Sequence, residues 1–240
     1  MQTKPKVLAL AIFVFLLASA VLVYAAPSGP IVTLISNETK SAAPATKINT
    51  TGGSITIMRL NATTQNPRWK AYVGNVTGTL TLDDANDNSI FQWSLTAVTG
   101  EVYATRASGN INWSGVNCSN STHLGLEDVA MNQTNFDDNI SRTFNSISHS
   151  GFFVGTREIL QNTCRSIHTL NSSREQSRFE EVALYDGTNT TNGNIIYSAP
   201  LQQDAPSFDN STYDFQMIVP ENGLATWTSS TAYYFYVELT

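Results

Sequence analysis

The segment YYFYVEL at Tyr233–Leu239 decides the fold class. Its large apolar side chains recur at every second position, and a period of two belongs to a β-strand, whose side chains point alternately to opposite faces. The inward-facing set is predicted to be Tyr233, Phe235, Val237 and Leu239. Residues 89–96 and 213–219 show the same alternation, so strands are expected to build the body of the protein.

Working outward from these three segments, the sequence predicts about ten strands separated by turns. The further strands are predicted at 31–36, 54–60, 68–73, 76–82, 101–106, 151–154, 178–185 and 194–199. Turn signals such as Gly52-Gly53 and Asn192-Gly193 lie between them. Short strands with frequent turns predict an all-β fold, an antiparallel β-sandwich or jelly roll.

The composition is poor in charge and rich in neutral polar residues. Charged residues are 13% of the 240 residues, against roughly 25% in an average soluble protein. Polarity comes instead from 22 asparagines and 53 serines and threonines, while the hydrophobic fraction of 41% suffices for a core. The net charge of −6 opposes binding to a phosphate backbone, so no nucleic-acid partner is expected. Two cysteines and three isolated histidines predict no cofactor.

Residues 1–25 have the features of a secretory signal peptide. Two lysines precede an unbroken run of apolar and small residues from Val7 to Val23. Val23 and Ala25 fit the −3 and −1 positions of a signal-peptidase site, so cleavage is predicted between Ala25 and Ala26. The alternative is an uncleaved anchor, which would be the protein's only contact with the membrane. Either reading predicts export, to the extracellular space or the cell surface.

Asn-x-Ser/Thr sequons are unusually frequent. Random placement of 22 asparagines among these serines and threonines would give about 5, and the chain has more than twice that number. The sequons start at Asn37, Asn49, Asn61, Asn75, Asn112, Asn117, Asn120, Asn132, Asn139, Asn171, Asn189 and Asn210. The excess favours N-linked glycans, which would replace charge as the source of solubility. Ordinary polar loop chemistry is the alternative explanation.

Cys118 and Cys164 are predicted to form a disulfide, because a cysteine pair in an exported protein is normally oxidised. Two reduced, buried cysteines are the alternative. Between them, 124–131 and the segment around 136–147 show helical signals. The helical spacing in the second segment is carried by Phe136, Ile140, Phe144 and Ile147. Residues 118–164 are therefore predicted to be a partly helical insertion clasped to the sandwich.

The predicted organisation is a signal peptide at 1–25, an extended N-terminal arm at 26–50, and a β-sandwich domain at 51–240. Within the arm, Ile31–Ile35 has strand character, and Ser41–Pro44 is linker-like. An ordinary first strand is one interpretation. The other is a donor strand that pairs with a neighbouring molecule, by main-chain hydrogen bonds along an exposed sheet edge.

One acidic turn has partial calcium-loop spacing. Asp84, Asn86 and Asn88 occupy positions 1, 3 and 5, but Ser89 and Leu95 stand where an EF-hand requires Gly and a bidentate Glu. A hairpin turn between two strands is the preferred interpretation. A calcium-binding turn is the weaker one, and no other metal site is predicted.

Carbohydrate sites stack sugar rings on exposed aromatic side chains, so the four tryptophans are relevant. Trp69 and Trp93 alternate with apolar residues and are predicted to lie in the core. Trp113 and Trp227 lie among polar residues and are the candidates for ligand stacking. No catalytic residue is predicted, because the sequence has no nucleophile elbow and no paired histidines.

Two stretches carry a resemblance. RWKAYVGNVTGTLTLDD at 68–84 with FQWS at 91–94, and YDFQMIVP at 213–220 with 233–239, resemble a recurrent pattern in uncharacterised secreted archaeal β-sandwich proteins. The resemblance covers most of the mature chain. It implies a habitat, the archaeal cell surface, rather than a named family or an activity.

These observations predict a non-enzymatic extracellular or cell-surface glycoprotein with a structural or adhesive role. Its partners would be further copies of itself or other cell-surface proteins. A carbohydrate-binding module is the alternative, and exposure of Trp113 or Trp227 in a groove would favour it. A secreted hydrolase is the third hypothesis, and two carboxylates facing each other across a cleft would favour it.

Processing can be tested directly. N-terminal sequencing of the exported protein is expected to read Ala26-Pro27-Ser28, because Ala25 completes the signal-peptidase motif. A mature protein that still begins within residues 1–6 would instead support the retained anchor.

Overall fold

The computed structural model describes residues 26–95, 97–187, 193–224 and 230–240. Within them the chain is mostly antiparallel β-structure, which confirms the predicted all-β class. The strands are β1 (Trp69–Gly74), β2 (Leu80–Asp83), β3 (Ser89–Trp93), β4 (Gly100–Thr105), β5 (Asn117–Cys118), β6 (Phe152–Val154), β7 (Arg157–Ile159), β8 (Ser166–Leu170), β9 (Gln176–Tyr185), β10 (Ile195–Pro200), β11 (Ala205–Pro206), β12 (Thr212–Tyr213), β13 (Phe215–Pro220) and β14 (Tyr234–Leu239). The helices are α1 (Ser121–Ala130) and α2 (Ile140–Thr143), preceded by a 3-10 turn at Trp113–Gly115. No helix in this described part is both long and apolar enough to span a bilayer.

A six-stranded sheet forms the centre of the molecule. Its strand order is β14-β4-β10-β9, and the outer edge of β9 carries two short strands end to end. Cys118 of β5 pairs with Leu184, and Ser166 of β8 pairs with Val182. All these pairings are antiparallel, so one edge of the sheet is β14 and the other is the β5–β8 row.

Both faces of this sheet are covered by other parts of the chain. Alternation along β4 sends Val102 and Ala104 to one face and Tyr103 to the other. The first face packs against the β1–β13 pair and the two helices, and the second against the β6–β7 hairpin. Burial on two faces explains why the central strands are almost completely buried.

The insertion between the cysteines supplies cover to both faces. From Cys118 it forms α1 and α2, whose Leu124 and Phe144 pack on the first face. It then forms the β6–β7 hairpin, whose Val154 and Ile159 pack on the second face. Residues 118–164 are therefore partly helical, as predicted, but they wrap around one sheet edge and are part of the core.

Side-chain caps hold the two helices together. Asn120 caps α1, where its side chain accepts a hydrogen bond from the amide of His123. Asp128 of α1 accepts from the amide of Ile140 at 2.7 Å, at the start of α2. Asn139 caps α2 by accepting from the amide of Arg142. The predicted helix around 136–147 is thus restricted to four residues, and Ile147 is exposed.

The disulfide predicted between Cys118 and Cys164 is present, with 4.8 Å between the Cα atoms. It lies where the two ends of the insertion meet at β9. Ala183 accepts from the amide of Ser119 and donates to the carbonyl of Arg165, so it joins both ends at one residue. The disulfide fixes this junction covalently.

His149 supports the same junction from inside. Its Nε2 accepts from the amides of Thr163, at 3.1 Å, and Cys164, at 2.9 Å. Its Nδ1 lies 2.7 Å from the carbonyl oxygen of Ser150, which assigns the ring proton to Nδ1. This buried histidine therefore has a packing role, as expected for an isolated histidine.

The strands predicted at 31–36 and 54–60 are wrong. Both segments are extended and exposed, with Ile31 and Ile57 more than nine-tenths accessible. The arm touches the sheet at Ser28, which forms one antiparallel bridge to Val237. An apolar alternating pattern indicates that a strand can form, but a strand also needs a partner edge, and these segments have none among the described residues.

Trp93 does not lie in the core, contrary to the prediction. It sits on β3 of the β2–β3 hairpin, whose residues are all exposed, and 47% of Trp93 is accessible. Its ring contacts Phe91 on the same hairpin, with 5.0 Å between centroids. Trp69 is half-buried against the first-face core, in agreement with the prediction.

Removing the disulfide should loosen the whole domain. The double variant Cys118→Ser/Cys164→Ser is expected to lose about 4 kcal/mol of unfolding free energy, because the bond closes a loop with a sequence separation of 46. Urea denaturation measures this loss. Reduced wild-type protein should match the variant, and a loss below about 1 kcal/mol would contradict the junction's importance.

Candidate functional site

One recess of the described surface lies between α1 and the ends of β4, β9 and β10. It has a volume of about 380 Å³, within the usual size range of ligand pockets. Arg106 and Glu127 stand in its wall and form a bidentate ion pair, with N–O distances of 2.9 and 2.7 Å. Because the two charges neutralise each other, the recess has no uncompensated charge there for an ionic ligand.

An aromatic stack closes the other side of this recess. The His123 ring lies flat on Tyr185, with 3.8 Å between centroids. Its Nδ1 accepts from the amide of Asn120 at 3.2 Å, and partial burial lowers the pKa of His123 below its usual value. A neutral His123 therefore completes the cap of α1, and the recess is best described as the packed joint between α1 and the sheet.

The most unusual electrostatic feature is a pair of buried glutamates. Glu101 of β4 and Glu238 of β14 are directly opposite in register, and they are 6% and 3% accessible. Glu238 accepts from the Tyr103 hydroxyl at 3.0 Å and from the Gly155 amide at 2.9 and 3.0 Å. The β6–β7 hairpin, through Gly155, is thus hydrogen-bonded to this pair.

Burial favours the neutral form of Glu101. Burial, followed by the nearby Glu238, raises the pKa of Glu101 to about 8, and a hydrogen bond with Tyr103 opposes this only in part. One oxygen of Glu101, Oε2, is buried and has no hydrogen-bond partner in the described structure. An unpartnered buried oxygen is less costly in a neutral carboxylic acid than in a carboxylate.

Glu221 shows the opposite behaviour. Burial opposes its ionisation, but hydrogen bonds from Lys70 and Thr231 outweigh burial and lower its pKa to about 2. The amide of Asn222 also donates to it, at 2.9 Å. Glu221 therefore stays ionised in the folded protein and ties β13 to β1 through Lys70.

The turn at Asp84 is a hairpin turn that joins β2 to β3, as preferred from the sequence. Asp84 Oδ1 accepts from the amides of Asn86 and Asn88, and Oδ2 accepts from the Asn88 side chain. The hydrogen bond from Asn88 is the main cause of a lowered pKa at Asp84. The turn satisfies its own carboxylate. In the described ranges no group of three or more His, Cys, Asp or Glu could hold a metal ion.

The two tryptophans proposed for ligand stacking have different outcomes. Trp113 is half-buried and packs between Tyr103 and Tyr236, with centroid distances of 5.1 and 5.3 Å. These contacts make it part of the second-face core. Trp227 lies outside the described residues.

Most sequon asparagines are accessible. Those with exposed side chains are Asn37, Asn49, Asn61, Asn75, Asn112, Asn117, Asn120, Asn132 and Asn210. Asn171 is half-buried, and Asn189 lies outside the described residues. Asn139 is the exception, because it is 7% accessible and its side chain caps α2.

Sequence reasoning missed the glutamate pair and the Arg106–Glu127 ion pair. Glu238 lies on the face opposite the predicted inward-facing set of its strand, yet it is buried because the β6–β7 hairpin covers that face as well. Pairing with Glu101 depends on the register of two strands far apart in the chain. Glu180 and Glu181 of β9 point to opposite faces: Glu180 accepts from Ser150, and Glu181 accepts from the amide of Ile218.

No protein-family model, curated protein or solved structure matches this chain.

The glutamate pair makes stability depend on pH. Glu101 has a folded-state pKa of about 8, above the ordinary value of 4.5, so its contribution is fully present below pH 4.5 and is lost as the pH rises through 8. The unfolding free energy should fall by roughly 3 to 5 kcal/mol across this window. Glu221 has the opposite sign: its lowered pKa adds stability that is lost only as the pH falls through about 4.5 and below, so it does not cause the fall toward pH 8.

The variant Glu101→Gln, which mimics the protonated acid, should abolish most of this fall and be more stable than wild type at pH 8. Urea denaturation between pH 5 and pH 8 measures the effect, with the exposed Glu158→Gln on β7 as control. An unchanged slope in Glu101→Gln would show that another group is responsible.

Proposed function

We propose that the protein is an exported, non-enzymatic glycoprotein of the cell surface with a structural or adhesive role. The observation that carries this proposal is the exposure of nine sequon asparagines, on the N-terminal arm and on several loops of the body. Glycans at these positions would cover much of the surface. They would also explain how a chain with 13% charged residues stays soluble.

The disulfide supports export. Disulfides persist in oxidising compartments and are rare in the cytosol. Here the disulfide joins the two ends of the insertion, whose helices and β6–β7 hairpin cover the two faces of the sheet. An oxidising environment would therefore stabilise the fold. A signal peptide at residues 1–25 and an archaeal cell-surface origin belong to the same proposal.

A structural role fits the interior better than a catalytic one does. The two carboxylates that face each other, Glu101 and Glu238, lie under the β6–β7 hairpin and are 6% and 3% accessible, so a substrate would not reach them in this conformation. Trp113 is packed between two tyrosines. Among the described residues, the facing carboxylates and Trp113 are therefore occupied by packing, while Trp227 lies outside the described residues.

Glycan mapping tests the proposal at two matched sites. Mass spectrometry of the protein from a cell-surface fraction is expected to show glycans at most exposed sequons, including Asn132, and none at Asn139. The Nδ2 atom of Asn139, which would carry the glycan, faces the carbonyl of Thr134, and Asn139 is 7% accessible, so a glycan has no space there in the folded protein.

Asn132 is a suitable control because it lies in the same insertion and is exposed. Bare asparagines at all exposed sequons, or recovery of the protein from the cytosol alone, would remove the proposal. Full occupancy of Asn139 in folded protein would contradict the described start of α2.

A further inference from the structure

The outer edge of β14 carries one short contact from the N-terminal arm. The amide of Ser28 donates to the carbonyl of Val237 at 3.0 Å, and the amide of Val237 donates to the carbonyl of Ser28 at 2.8 Å. In an antiparallel ladder, such reciprocally bonded pairs recur every second residue. The next pair along the arm would therefore join Pro30 to Phe235.

Pro30 stops the ladder at this point. Proline has no amide hydrogen, so it cannot donate to the carbonyl of Phe235. In the described structure the ladder indeed ends at Ser28, and Ile31–Ile35 leaves the sheet. The edge of β14 at Tyr233–Phe235 thus keeps outward-facing backbone groups without a strand partner among the described residues.

Residues Ile31–Ile35, which follow Pro30 and do not pair with the sheet, have the composition of a strand buried on two faces. In IVTLI the apolar residues Ile31 and Ile35 fall on one face, and Val32 and Leu34 on the other. These four side chains are 68% to 99% accessible. Strands that lie in the interior of a doubly covered sheet have such continuous apolar runs, whereas strands with one wet face alternate with polar residues.

The free edge of β14 is apolar on both of its faces, so a strand with apolar side chains on both faces would fit it. Phe235 packs with the first-face core and Tyr236 with the second-face core, and both remain partly accessible at the rim. A strand added beside them would extend both cores at once. The apolar pattern of Ile31–Ile35 therefore matches the two-sided requirement of this edge, while Pro30 prevents the same molecule from using it.

We propose that two copies of this chain associate through their β14 edges and exchange residues Ile31–Ile35, each segment pairing with the partner's edge at Tyr233–Phe235. The inference deepens the proposed structural role and rests on it.

The length of chain between Ser28 and Ile31 limits how far the partner's edge can be. Ile31 follows Ser28 by three residues, which span at most about 10 Å. Ser28 lies one strand spacing from the donor's own β14, so the acceptor edge lies about three strand spacings from it, with one arm strand from each copy between the two β14 edges.

This short reach implies a two-fold arrangement. If the acceptor edge is β14 of the partner and it faces the donor's β14 across the two arm strands, the same relation holds in reverse, and both arms are exchanged. The result is a closed dimer in which neither β14 edge remains open. Closing the edges also removes a site of uncontrolled strand pairing.

The test is the oligomeric state of the disulfide-bonded chain from Ala26 to Thr240. Wild-type protein is expected to be a dimer by analytical ultracentrifugation. Thr33→Pro removes an amide hydrogen from the middle of the exchanged segment and should weaken dimerisation at least tenfold, the order expected for losing one or two hydrogen bonds. Thr33 is exposed, so the monomer should keep its melting temperature.

Thr56→Pro is the matched control, because Thr56 lies in the second exposed apolar stretch, 54–60, which follows the arm. It should dimerise like wild type. Hydrogen exchange gives a local readout: the amide of Phe235 should be more protected in the dimer than in Thr33→Pro. A wild-type monomer at millimolar concentration, or a dimer that tolerates Thr33→Pro, would overturn the exchange. Glycan mapping and cell fractionation would still decide the proposed function separately.

Discussion

The fold depends on the point where the two ends of the insertion meet beside Ala183. Backbone hydrogen bonds from Ser119 and to Arg165 place both ends on one residue of β9, and the Cys118–Cys164 disulfide fixes them there. From this point the insertion sends its helices over one face of the central sheet and its hairpin over the other. A single disulfide-closed loop thereby contributes side chains to both cores.

The same arrangement determines which surfaces are left for partners. The insertion closes the β9 edge of the sheet, so β14 is the other edge, and Pro30 limits its coverage by the arm to one bridge. The interior polar groups are meanwhile used for structure: His149 supports the junction, and Gly155 ties the hairpin to Glu238. On the proposed function, partners are therefore expected at the surface that carries the exposed sequons and at the open edge of β14.

Sequence periodicity predicted the strands that pair within the sheet, such as 101–106, 178–185 and 233–239, because their side chains alternate between two packed faces. The disulfide followed from export chemistry. Periodicity failed for 31–36 and 54–60, since an apolar alternation is necessary for a strand but does not supply a partner edge. It also failed for Trp93, because the pattern of a hairpin does not reveal whether anything packs on it. The buried Glu101–Glu238 pair depends on register between distant strands, which no local pattern specifies.

Amide hydrogen exchange on oxidised and reduced protein, under conditions where both remain folded, tests the central claim most directly. If one junction holds both cover layers, reduction should lower protection of α1 (Ser121–Ala130) and of the β6–β7 hairpin (Phe152–Ile159) together, while β4 and β10 stay protected. Loss of protection in only one of the two layers, or in neither, would contradict the account.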